Sequence, residues 1–127
     1  MKVNTFSLPE ISRPEFLRWL LGKRKRFKVQ GASMYPLLRP GDEVLVDPQA
    51  YSRRSPEIGD IVVAQHPGRK DLKLVKRVAG LHADGSLDLH GENPFETTDF
   101  NRLPLKAILG KVTCLFSDGN TNPKQKP

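Results

Sequence analysis

The chain has 127 residues and a formal net charge of +7, enough for one domain with a single core and too short for a second. Its one cysteine, Cys114, excludes an intramolecular disulfide and favours a reducing compartment, so a cytoplasmic protein is expected. No apolar run reaches the ~20 residues that span a bilayer. The nearest, "FLRWLLG", is interrupted by Arg18 and followed, rather than preceded, by a basic block, which is the reverse of a signal peptide.

Residues 1–11 are polar without a clear period and read as extended. Ser12, Pro14 and Glu15 then form a capping box with proline in the first turn. Phe16, Leu17, Trp19, Leu20 and Leu21 cover most of one side of a short helix, which Gly22 is placed to end. Docking of that side on the core is the favoured reading. A peripheral contact with a membrane surface or a partner, helped by the cations of Lys23–Lys28, is the alternative. The same run is otherwise a solvated face. Nucleic acid is not an expected partner, because no recognised module is present and aromatics do not interleave with the cations.

Beyond the helix the period changes to two. "FKVQG", "EVLVD", "DIVVAQ", "LKLVKRVAG", "SLDLHG" and "AILGKVTCLF" are strand candidates separated by Pro, Gly and Asp turns. Short strands without intervening helical patterns predict a mainly β fold, an antiparallel coiled sheet or barrel with one short amino-terminal helix. Gly41-Asp42 and Gly59-Asp60 each open a strand, and residues 51–57 form an exposed loop. The expected organisation is an arm and helix over 1–26, a β domain over 27–116 and a disordered tail over 117–127. Cys114 reads as a packed strand residue. His66, His82 and His90 lack metal-ligand spacing and catalytic company, so neither metal nor cofactor is expected.

Two residues invite chemistry. In "LKLVKRV", alternation places Leu72, Leu74, Lys76 and Val78 on one face, and Lys73, Val75 and Arg77 on the other, which reads as the solvent side. Lys76 then points inward, where an ammonium is poorly solvated. Lowering its pKa from ~10.4 to ~7 costs the charged form roughly 4–5 kcal/mol, within the reach of burial. A neutral amine is a competent general base for a serine hydroxyl. The competing reading has Lys76 reaching out to a carboxylate at a strand end. Ser33 leaves a strand into a turn stiffened by Pro36, a setting that exposes a hydroxyl and aims backbone N–H groups at an oxyanion. Alone, it reads as a turn serine bonding its own backbone. Met34 and Tyr35 beside it are the substrate-facing candidates, with core filling the other role for Met34.

"GASMYPLLRPGDEVLV", "GDIVVAQHP", "KLVKRVAG" and "GENPFETTDF", in that order, resemble the signal peptidase I group of Ser-Lys endopeptidases. The resemblance covers about residues 27–116. It implies Ser33 as nucleophile, Lys76 as general base and Thr97 as the hydroxyl that orients the lysine. Many members carry an oxyanion-stabilising hydroxyl where this chain has Gly31, so backbone N–H groups around Ser33, its own among them, must serve. Asp99 matches an acid whose basic partner is lost at Asn101, unless Arg102 replaces it. "FLRWLLGKRKRFKVQGASM" and "DLKLVKRV" are similar to the short subgroup that matures nickel-type superoxide dismutase. That likeness implies the dismutase precursor, held as an extended peptide, as the substrate. A signal peptidase acting at a membrane and a non-catalytic peptide-binding β domain are the alternatives; a self-cleaving repressor domain lacks its DNA-binding module here.

Overall fold

The computed structural model describes residues 8–95 and 98–116. The chain forms helix α1 (Arg13–Leu20) and strands β1 (Lys25–Lys28), β2 (Glu43–Asp47), β3 (Ile61–Gln65), β4 (Lys73–Leu81), β5 (Leu87–His90), β6 (Phe100–Leu103) and β7 (Ile108–Leu115). All seven strands belong to one sheet in the order β1-β2-β7-β3-β4-β5-β6. Every pairing in it is antiparallel. The mainly β fold with one short helix is therefore as the sequence predicts.

Two strand assignments differ from the sequence reading. The first strand starts at Lys25, inside the basic run. The strand β6 is one that periodicity does not reveal: its sequence is FNRL, with Asn101 and Arg102 exposed. Arg102 also has a positive φ of 56°, which departs from strand geometry.

The sheet is covered on both faces, which explains why β3 reads as an unbroken apolar run. Ile61 and Val63 join Val29, Met34, Leu38, Val44, Val46, Val75 and Val112 in the main core. Val62 and Ala64, pointing the other way, pack with Val78, Leu87, Leu89 and Leu103. The face of Val75 is consequently not a solvent side: Val75 is buried in the main core, Arg77 is half-buried, and only Lys73 is exposed.

The Gly-Asp echo is a repeated turn. Arg39 N–H donates to the Asp42 carboxylate and Asp42 N–H returns to the Arg39 carbonyl. Glu57 and Asp60 do the same. Each turn then pairs through both backbone groups with a valine, Val29 in the first and Val78 in the second. Gly41 and Gly59 sit at φ +94° and +100°, a region that L side chains rarely occupy.

Helix α1 begins as expected, with the Ser12 hydroxyl accepting from Glu15 N–H. It ends in a Schellman motif, Gly22 N–H bonding Trp19 O and Lys23 N–H bonding Arg18 O. The other half of the capping box is not made. Instead the Glu15 carboxylate takes Arg18 at 2.8 Å, Arg24 at 2.9 Å and the Thr113 hydroxyl of β7 at 2.8 Å. Trp19 packs against Leu45, Cys114 and Phe116, its ring centroid 4.8 Å from that of Phe116. The helix thus docks through Glu15 and Trp19 and not, as the sequence reading favours, through its whole apolar side: Phe16, Leu17, Leu20 and Leu21 remain exposed.

Candidate active site

The connection from β1 to β2 carries Ser33. It is anchored by the burial of Val29, Met34 and Leu38 in the main core, and Leu38 N–H closes a turn on Met34 O. Met34, with 1% of its surface exposed, is a core residue, so its side chain is closed to solvent rather than offered to a substrate. Tyr35 lies on the outer side, 43% exposed, with the Arg39 guanidinium 5.6 Å from its ring. Gly31 adopts φ +79° with open space where a Cβ would stand. A serine there would meet no neighbour but would be forced into a left-handed backbone, a physical reason for glycine at this position.

Ser33 is half-buried. Its carbonyl accepts two hydrogen bonds, from Glu92 N–H at 2.7 Å and Asn93 N–H at 2.8 Å. The Asn93 amide also donates to Ala32 O at 2.9 Å. Among the described residues, no hydrogen bond uses the Ser33 N–H. That group is an available donor beside the hydroxyl.

Lys76 stands opposite Val62 in the β3–β4 ladder. Its surface is 2% exposed, and Val62 and Val78 beside it are fully buried. The ammonium nitrogen lies 5.9 Å from the centre of the Phe100 ring. Among the described residues, no carboxylate comes within ion-pair distance of it. The reading in which Lys76 escapes to an ion pair at the surface is thereby set aside. Burial pushes the Lys76 amine below the ordinary lysine range, and the negative field of Asp99 opposes that shift.

The two candidates occupy linked segments. Glu92, which holds Ser33 through its N–H, receives Arg77 Nε at 2.6 Å on its carboxylate, and Arg77 follows Lys76 in β4. Arg77 also donates to Gly59 O at 2.9 Å. Ser33 Oγ and Lys76 Nζ are not joined by a hydrogen bond among the described residues. Thr97 lies outside the described residues, as does the tail over 117–127.

Arg102 does not replace the missing partner of Asp99. Its guanidinium is 3.7 Å from Asp84, and its N–H donates to the Asp88 carboxylate. His90 Nε2, at 4.0 Å, is instead beside Asp99. His82 pairs with Asp88 at 2.9 Å, and the His66 ring meets Phe100 edge-on. No group of three or more potential metal-ligating side chains occurs among the described residues. The clamp of Arg77, Glu92 and Asn93 was not legible as such. Its only sequence signal is Asn93-Pro94, where the Asn93 side chain accepts Phe95 N–H in a turn.

Comparison with known proteins assigns the chain to a family. A family profile described as signal peptidase, peptidase S26, matches residues 18–85, more than half of the chain. Signal peptidase I of Aquifex aeolicus is 34% identical over 97 residues, covering 76% of this chain and 36% of the relative. Signal peptidase I of Buchnera aphidicola subsp. Baizongia pistaciae is 36% identical over 70 residues, covering 46% and 23%. That of Pseudomonas aeruginosa is 33% identical over 70 residues, covering 46% and 25%. The chain spans well under half the length of each of these relatives. Ser33 and Lys76 both fall inside the matched region, and by that match the chain belongs to the signal peptidase, peptidase S26, family.

Proposed function

We propose that the protein is a serine endopeptidase in which Ser33 is the nucleophile and Lys76 the general base. The observation that carries this reading is the burial of Lys76 among apolar side chains, which favours the neutral amine that a base must be. The Ser33 Oγ–H proton passes to Lys76 Nζ as Oγ bonds the scissile carbonyl carbon. The Ser33 N–H stabilises the oxyanion. Collapse of the tetrahedral intermediate breaks the C–N bond, and the leaving amine takes the proton from Lys76. Water, deprotonated by the same amine, then cleaves the acyl-enzyme. Catalytic hydrogen bonds commonly close only when substrate is seated, so the missing Oγ to Nζ bond is compatible with this cycle. Thr97 would orient the lysine, on the strength of the family resemblance.

The proposed substrate is an amino-terminal propeptide, that of a nickel-type superoxide dismutase precursor. Support for it is the likeness of residues 16–34 and 71–78 to the subgroup that matures this dismutase. Incubating the purified protein with that precursor and reading the new amino terminus by mass spectrometry tests both levels. Cleavage abolished by Ser33→Ala and Lys76→Met supports the whole reading. Cleavage of a signal-peptide substrate with the precursor left intact would remove the substrate and keep the peptidase. Equal cleavage by wild type and Ser33→Ala would remove both.

A further inference from the structure

The side of α1 turned away from the sheet has a composition that docking does not explain. At 100° per residue, Glu15 and Trp19, which face the sheet, lie about 40° apart, whereas Phe16, Leu17, Leu20 and Leu21 fill an arc of about 140° centred about 150° from them. These four side chains are 40%, 54%, 60% and 63% exposed. Contiguous exposure of large apolar groups is uncommon on a monomer and marks an interaction surface.

Charge identifies the partner. Arg13 opens the helix, Lys23 follows its end, and Lys25 and Lys28 continue along the edge strand β1, all four exposed. None of the four makes an ion pair among the described residues. Of the nearby carboxylates, Glu15 is matched by Arg18 and Arg24, Asp47 by Arg24, and Glu43 by Arg26, which leaves Glu10 as the one exposed acid set against these four cations. An apolar stripe with Arg13 before it and Lys23 after it, in a region where cations outnumber acids, suits a surface that is apolar within and anionic at its face. A second copy of the chain would bring the same cations against each other, which disfavours self-association. The helix is eight residues long, about 12 Å, so it can lie in an interface and cannot cross one.

We propose that the outer face of α1 is a docking surface for an anionic lipid bilayer. Phe16, Leu17, Leu20 and Leu21 enter the interface, and Arg13, Lys23 and Lys28 meet the headgroups. This goes beyond the peptidase reading and does not depend on it.

The test is flotation of the full chain with vesicles of phosphatidylcholine alone and of phosphatidylcholine with phosphatidylglycerol. The expected result is binding to the anionic vesicles only, weakened by salt. Leu17→Gln, Leu20→Gln and Leu21→Gln combined should lower the partition coefficient roughly tenfold or more. Their exposure predicts an unchanged melting temperature. Lys23→Gln with Lys28→Gln, which leaves the apolar stripe intact, should lower anionic binding several-fold. Absence of anionic binding by wild type overturns the proposal, as does undiminished binding by both variants. A wild-type dimer that the leucine variant dissociates would assign the face to a second copy and overturn it equally.

Discussion

Lys76 and Val62 face each other across the β3–β4 ladder, and both side chains are buried. Their neighbours Val78 and Ala64 extend the same apolar wall. An amine in that position destabilises the fold whenever it is charged, because no carboxylate within ion-pair distance among the described residues offsets its desolvation. Lys76→Met keeps the volume and removes the buried amine. It should raise stability at neutral pH by about 1–3 kcal/mol while abolishing peptidase activity. Denaturant unfolding beside a cleavage assay checks the two effects together.

The lowered pKa of Lys76 also fixes the sign of its pH dependence. Between the folded value and the ordinary lysine value, the unfolded chain binds more protons, so the contribution of this group to stability rises with pH. Activity should rise through the folded value as the base deprotonates. Asp99 holds that value up. Asp99→Asn should therefore move the acid limb of kcat/KM to lower pH, and a limb that stays in place would show that Asp99 does not act on the lysine.

Ser33 is held by the chain segment of Glu92 and Asn93, and Glu92 by Arg77. Glu92→Gln weakens the charge-assisted half of this clamp, and Asn93→Ala removes the bond to Ala32 O. Each change should lower kcat by roughly 10- to 100-fold with KM changed little, since the clamp positions the nucleophile rather than the peptide. Steady-state kinetics separates the two parameters.

At Gly31 the cost of a side chain is backbone strain alone, because a Cβ meets nothing within 4 Å. Gly31→Ser should cost about 1–2 kcal/mol, read as a drop in melting temperature, without increasing the rate. A faster, equally stable variant would show that the loop readily turns to present the hydroxyl.

Burial pushes the Glu15 carboxyl up, but hydrogen bonds from Arg24, Thr113 and Arg18 outweigh it and hold the group below its ordinary value of 4.5. The stability it contributes is complete above that ordinary value and is lost as pH falls through the folded one. Trp19, the one tryptophan of the chain, sits in the same interface, so its fluorescence should report undocking of α1 on acidification. Thr113→Val should lower the stability of docking by about 1–2 kcal/mol and bring that change to higher pH.

How much of this was legible depends on sequence distance. Alternation around Lys76 is local, and it places the lysine on an apolar face correctly. It misassigns the face of Val75, because the covering of that face by Met34 and Leu38 comes from a distant loop. The capping box predicts Ser12 as the cap from four adjacent residues. It does not foresee Glu15 reaching Thr113, 98 positions away. Strand β6 leaves no periodic trace because two of its four residues are exposed polar side chains at the sheet edge. The serine and lysine are named by short motifs, whereas the clamp between them exists only once β4 and β5 are paired.

The most direct test is the pH profile of acylation at Ser33 by a serine-reactive reagent, followed by intact mass in wild type and Lys76→Met. The account predicts labelling of Ser33 in the wild type with an inflection below the ~10.4 of a solvated lysine, and loss of both the inflection and the rate in the variant. Labelling of equal speed in Lys76→Met, or an inflection at the solvated value, would contradict it.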